Sequence, residues 1–168
     1  MQSSTALLRS SFAALCCALS LASPATAAET ATFAVTAQFA PSCSVSAGPL
    51  AFGASIPTPV TTPVLSTTVI SAVCSTTVPY TVALGAGTGP TATPAVRQMS
   101  SGANVLNYSI FEDAARTQVW GDGTGGTVVS AQTGTGAPQS ITAYGSIAAG
   151  QTPAIGTYTD TITVAVVF

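Results

Sequence analysis

Residues 31–39 alternate between apolar and small or polar side chains without a break, which is the pattern of a β-strand with one apolar face. The apolar face carries Ala31, Phe33, Val35, Ala37 and Phe39. A proline follows this run and separates it from the rest of the sequence. The pattern therefore predicts a strand that is separate from the rest of the domain and that inserts its apolar face into another site.

Residues 1–27 have the composition of a secretory signal peptide, with Arg9, an apolar run over residues 12–22 and small residues at the end. We predict cleavage before Ala28. The apolar run is roughly half of the ~20 residues that a bilayer-spanning helix needs, and no second run exists. Stable membrane insertion is therefore not expected.

The predicted mature chain keeps two cysteines, Cys43 and Cys74, because Cys16 and Cys17 lie in the leader. In an oxidising compartment an isolated pair most simply forms one disulfide, and two free buried thiols are the alternative. A bond across this loop would stabilise the fold by roughly 3.5 to 4 kcal/mol in the chain-entropy model.

Charged side chains are scarce, with three Lys and Arg against five Asp and Glu in 168 residues, no His and a net charge of −2. This balance excludes nucleic-acid binding through phosphate neutralisation. Catalysis by His or Lys is excluded as well, because neither residue type occurs. The apolar residues, 47% of the chain, lie in short alternating runs divided by Gly and Pro, which is typical of a secreted all-β protein.

The acidic residues do not form a convincing catalytic or metal site. Glu112 and Asp113 are neighbours that would point to opposite faces of a strand, so a glycosidase pair would have to recruit Asp122 or Asp160. We interpret the Glu112-Asp113 pair as a solvated turn and Asp122, between two glycines, as a tight turn. Trp120 could be a sugar-stacking platform, although core packing is the commoner role for a lone Trp. We expect no enzymatic activity, no cofactor and no metal.

The pattern predicts one all-β domain of about 140 residues, a sandwich or barrel without helices. The candidate strands are residues 30–39, 42–46 with 50–52, 64–73, 80–84, 104–111, 118–120, 127–130, 139–144 and 158–168. The last one places Asp160, Ile162, Val164, Val166 and Phe168 on one face, and no further run remains to pair beside it. A sandwich of this kind usually has a further strand, so the detached first strand is predicted to fill that place in another molecule.

The sequence resembles the spore coat protein U domain family, which includes subunits of archaic (Csu-type) chaperone–usher pili. The matching segments are FAPSCSV at 39–45, LAFG at 50–53, VC at 73–74, YTVAL at 80–84, LNYSIF at 106–111, WGDG at 120–123, YG at 144–145, AGQ at 149–151 and GTYTDTITV at 156–164. Each segment is short, and their order and spacing together carry the resemblance over nearly the whole mature chain.

This resemblance implies an incomplete immunoglobulin-like β-sandwich that is completed by a donor strand from another subunit. Residues 1–27 would be the signal peptide, 28–41 the N-terminal donor strand and 42–168 the pilin domain. In that assignment Ala31, Phe33, Val35, Ala37 and Phe39 would be the donor-strand residues that enter a neighbour, and Cys43–Cys74 would be an intrasubunit disulfide.

The function that the resemblance implies is that of a structural pilin, polymerised by donor-strand exchange, that serves surface attachment and biofilm formation. Its partners would be identical or related pilin subunits, a periplasmic chaperone and an outer-membrane usher. The chain would pass through the periplasm to the surface of a Gram-negative bacterium. Tip adhesins of the family carry an additional domain, so a shaft or minor subunit is expected.

Two other classes of function stay open at this point. The chain could be a self-complete secreted β-sandwich that binds carbohydrate or protein, with residues 30–39 folded back onto their own domain, or a structural protein of the spore-coat type. A hydrolase ranks last because the catalytic side chains are missing. A ladder of detergent-resistant multimers that collapses on boiling would separate the pilin from the self-complete sandwich.

Overall fold

The computed structural model describes residues 28–168, so the predicted signal peptide lies outside the described residues. The strands are β1 Cys43–Ala47, β2 Val64–Cys74, β3 Pro79–Leu84, β4 Arg97–Ser101, β5 Asn104–Phe111, β6 Ser130–Thr133, β7 Gln139–Ile147 and β8 Val164–Val167. Residues 28–168 contain no helix, and so no helix in this part of the chain could cross a membrane. The predicted all-β sandwich is confirmed.

The strands form two antiparallel sheets, one of five strands in the order β1-β2-β7-β5-β4 and one of three in the order β6-β3-β8. The long β2–β7 ladder, from Val64 opposite Ile147 to Ala72 opposite Gln139, is the middle of the larger sheet. Strands β1 and β8 are edge strands, because each is hydrogen-bonded to a neighbour on one side only.

The core lies between the two sheets and follows the period-two pattern of their strands. On β3, Tyr80, Val82 and Leu84 are buried, and on β5 every second residue from Leu106 to Ile110 is buried. Trp120 is fully buried, and its indole N–H donates a hydrogen bond to the Val82 carbonyl at 2.9 Å. The core-packing interpretation of Trp120 is therefore confirmed.

The structure departs from the predicted strands at several places. Strand β4 was not predicted, because its sequence RQMSS lacks an apolar alternation. Residues 118–120 and 127–130 were predicted as strands, but they take part only in isolated β-bridges, and β6 begins only at Ser130. Residues 50–52 form no strand. The last strand is confined to Val164–Val167, because Thr159 pairs instead with Ser100 of β4.

The N-terminal segment, residues 28–42, forms no strand, and all of its side chains are exposed. A strand is stabilised by hydrogen bonds to a neighbouring strand, and no such ladder includes these residues. Residues 31–39 thus have the sequence of a strand but pair with no strand of residues 28–168.

Candidate functional site: an open groove between two edge strands

The side chains of strand β8 that face the core are only partly covered by the rest of the domain. Val164 and Val166 lie opposite Leu84 and Val82 of β3, and residues directly opposite each other share a face of the sheet. The two β3 side chains are buried, whereas the two β8 side chains are only partly buried. The difference arises because no strand is paired with the outer edge of β8.

Strand β1, at the edge of the facing sheet, shows the same feature. Val45 lies opposite Ala72, which is completely buried, yet 36% of Val45 is exposed. The free edges of β1 and β8 are neighbours across the sandwich. The two sheets are therefore incompletely covered along one side.

An apolar groove of about 620 Å³ opens at this side of the sandwich. One wall is formed by the end of β1 and the residues after it, and the other by residues 158–162 with Val164. Buried side chains from both sheets form the floor, namely Ile70, Leu84, Tyr108, Ile110 and Ala143. We call this cavity the edge groove.

The wall that follows β1 is held against the larger sheet by the packing of Leu50 and Phe52. A Cβ atom at Gly145 of β7 would come within 2.9 Å of both side chains, so a larger residue there would force them to shift. Phe52 also contacts Tyr108 edge to face, with the ring centroids 5.9 Å apart. The LAFG and YG segments of the sequence thus build one wall of the edge groove.

The opposite wall is the stretch that leads into β8, residues 158–163, which we call the approach segment. It belongs to no strand, but Thr159 exchanges two backbone hydrogen bonds with Ser100, at 2.9 and 3.0 Å. At its other end the Thr163 carbonyl accepts a hydrogen bond from the Gly85 N–H at 2.9 Å. Between these ties, the carboxylate of Asp160 is the main anchor of the segment.

A buried arginine lies behind this wall, and sequence reasoning did not identify it. The Arg97 side chain is completely buried and donates to three carbonyl oxygens, those of Gly85 at 2.9 Å, Leu84 at 3.2 Å and Trp120 at 2.8 Å. Burial lowers the pKa of Arg97. The side chain thus crosslinks the end of β3 to the Trp120 backbone, and no local pattern in the sequence marks this role.

The predicted disulfide is present. Cys43 and Cys74 are bonded to each other and lie directly opposite in the β1–β2 register, so the bond ties the edge strand β1 to its neighbour. The alternative of two free thiols is therefore wrong.

The predicted donor-strand residues are exposed. Phe33, Val35 and Phe39 expose 87%, 82% and 96% of their surface, and Ala31 and Ala37 are exposed as well. Large apolar side chains exposed together on a short segment are a recognised sign of an interaction surface. Their role as donor-strand residues stays a prediction.

Asp113 and Asp122, two of the acidic residues that were considered for a catalytic site, lie in turns. Asp113 accepts hydrogen bonds from the backbone of Thr117 and Gln118 and from the Thr117 hydroxyl, and these bonds lower the pKa of Asp113. Asp122 accepts two from Thr124, which lower its pKa in the same way. Within residues 28–168 no group of three or more His, Cys, Asp and Glu side chains could hold a metal ion.

The geometry defines a class of protein: an antiparallel β-sandwich with an apolar groove at one open side and an exposed apolar segment at its amino-terminal end. The model of the Spore Coat Protein U domain matches residues 29–165, and the chain belongs to that family. The comparison with curated proteins found no match.

A similar solved structure is the CsuC–CsuE chaperone–tip adhesion subunit pre-assembly complex from the archaic chaperone-usher Csu pili of Acinetobacter baumannii. The sequences are 27% identical and the TM-score is 0.47. The match covers 76% of this chain and 40% of that chain, so this chain spans less than half of the length of that one.

Proposed function

We propose that this chain is a structural subunit of a chaperone–usher pilus, in which residues 31–39 of one copy occupy the edge groove of the next. The observation that carries the proposal is that one chain combines an uncovered apolar groove with an exposed apolar segment of strand-like sequence. An added strand beside β8 would cover Val164 and Val166 and would pair with the free edge of the smaller sheet. This is β-augmentation used for polymerisation.

The energies involved are large enough for the proposal. Burial of Phe33, Val35 and Phe39 contributes about 1.5 to 3 kcal/mol for each side chain, or roughly 5 to 9 kcal/mol together. A whole domain of ordinary size is stable by only about 5 to 15 kcal/mol. A subunit whose edge groove is empty would therefore be much less stable than the same subunit with a strand inserted.

The proposal includes the partners and route that the family resemblance implies. An unfilled subunit would expose an apolar groove and a free strand edge, which is a hazard for aggregation. A periplasmic chaperone would cover the groove during secretion, and an outer-membrane usher would exchange the chaperone for the donor strand of the next subunit. The fibre would then serve attachment and biofilm formation at the surface of a Gram-negative cell.

The experiment that tests this function is partial denaturation of the assembled mature chain in detergent. A donor-strand-linked fibre gives a ladder of multimers at moderate temperature that collapses to the monomer on boiling, since each link buries apolar side chains without a covalent bond. The matched control is a variant that lacks residues 28–41, which is expected to give no ladder. A fully stable monomer, or a ladder from the deletion variant, would contradict the proposal and favour the self-complete sandwich.

A further inference from the structure

The approach segment has few attachments for a stretch that forms a wall of the edge groove. Its residues 158–163 form no strand, and its backbone is tied at Thr159 and at Thr163. The side chains of Tyr158 and Ile162 that line the groove lie on this segment and are only partly buried. Besides this packing, the side chain of Asp160 is a group that joins the segment to other parts of the fold.

The carboxylate of Asp160 accepts four hydrogen bonds, and three of them tie the approach segment to residues outside it. Its Oδ1 atom accepts from the backbone N–H of Thr88 at 2.7 Å, the Thr88 hydroxyl at 2.8 Å and the N–H of Thr161 at 2.7 Å. Its Oδ2 atom accepts from the Tyr108 hydroxyl at 2.7 Å. The carboxylate thus joins the approach segment to the loop after β3 and to strand β5.

The residues around Asp160 leave room for its carboxylate and supply it with hydrogen-bond donors. Gly87 has a φ of +89°, and a Cβ atom there would collide with the Asp160 carboxylate, so the loop can carry only glycine at this position. Burial, together with the hydrogen bond to Asp160, raises the pKa of Tyr108, so the phenol stays protonated and donates. The four donors require an acceptor, and a carboxylate offers two acceptor oxygens and no donor.

We propose that Asp160 is a positioning residue for strand insertion, because it holds the approach segment in the conformation that leaves the edge groove open. This inference rests on the proposed function. If the open conformation is only a fraction of the population, the apparent affinity for an inserted strand falls by that fraction. Charge-assisted hydrogen bonds are the stronger kind, so the loss of the three that tie the approach segment to Thr88 and Tyr108 is expected to lower the population of the open wall.

The test measures how tightly the full mature chain, diluted to the monomer, binds a fluorescent synthetic peptide with the sequence of residues 28–41. The variant is Asp160→Ala, and the matched control is Asp113→Ala. Asp113 also accepts hydrogen bonds from three donors in a turn, one of them shared between its two oxygens, but it does not line the edge groove. Asp160→Ala is expected to weaken peptide binding by roughly tenfold or more, and Asp113→Ala by less than about threefold.

The conservative variant Asp160→Asn separates positioning from general destabilisation. Its carbonyl can still accept from Thr88 and Thr161, and the Tyr108 hydroxyl can rotate to accept from its amide. Asp160→Asn is therefore expected to restore most of the peptide affinity. If Asp160→Ala does not fold, Tyr108→Phe removes one of the four bonds and is expected to weaken binding by roughly threefold to tenfold.

The outcomes distinguish this inference from the proposed function. If the wild-type chain and Asp160→Ala bind the peptide with equal affinity, the role of Asp160 is overturned and the pilus proposal stands. If Asp160→Ala does not fold, equal affinity of the wild type and Tyr108→Phe has the same meaning. An equal loss in Asp160→Ala and Asp113→Ala also overturns the role of Asp160, since stability alone would then explain the result. Failure of the wild-type chain to bind the peptide overturns both proposals.

Discussion

A charge placed on the apolar face of the N-terminal segment should abolish its insertion into the edge groove. The change is Phe33→Asp, and the matched control is Thr32→Asp, which puts the same charge one residue away on the other face. In the single chain both positions are exposed, so neither substitution should alter the stability of the monomer. The two variants should therefore differ only where the segment is inserted.

The expected magnitude follows from what Phe33 loses on the change. Its side chain is 87% exposed in the free chain, so insertion would bury nearly the whole ring, which contributes about 1.5 to 3 kcal/mol. An aspartate in an apolar site adds a desolvation cost, which protonation of the carboxyl reduces. A total of about 3 to 5 kcal/mol corresponds to a loss of two to three and a half orders of magnitude in affinity.

The assay is competition. Unlabelled peptides of residues 28–41 with either substitution displace a labelled wild-type peptide from the mature chain. The Thr32→Asp peptide should compete within about threefold of the wild type, because its charge stays in solvent. Equal competition by both variants would refute the assignment of the apolar face, and weaker competition by Thr32→Asp would show that the faces are reversed.

Three further predictions concern the stability of the domain. Arg97→Met should lower the free energy of unfolding in urea by about 3 to 5 kcal/mol, because three buried carbonyl oxygens lose their donor, and an unchanged midpoint would contradict this role. The Cys43→Ser/Cys74→Ser double variant should lose about 3.5 to 4 kcal/mol, as should the reduced wild type, and reduction should not affect the variant. Hydrogen bonds lower the pKa of Asp113, so its stabilising contribution is present at neutral pH and is lost as the pH falls below its ordinary value of 3.8. The difference in melting temperature between the wild type and Asp113→Ala should shrink below that pH, and growth of the difference on acidification would contradict it.

The parts of the fold that could be predicted from the sequence are those with period-two alternation. Strands β2, β3 and β5 agree with the predicted runs to within one residue, because their alternating apolar side chains are the ones buried between the sheets. The role of Trp120 and the disulfide between Cys43 and Cys74 could be predicted as well.

The parts that could not be predicted depend on tertiary contacts. Strand β4 begins with Arg97, whose burial is possible only because three carbonyl oxygens from distant residues accept its hydrogen bonds. The pattern at residues 158–168 predicted one long strand, but Thr159 pairs with Ser100 and the strand begins only at Val164. The alternation of Ile162, Val164 and Val166 was nonetheless correct, since all three side chains pack against the core.

Amide hydrogen exchange along residues 28–42 tests the central claim of this account most directly, because it compares the same amides in the diluted monomer and in the assembled multimer. The account predicts rapid exchange in the monomer, where the segment has no strand partner, and strong protection in the multimer, together with new protection along β8. Rapid exchange in the multimer, or protection already present in the monomer, would contradict the claim that one copy supplies the strand that another copy lacks.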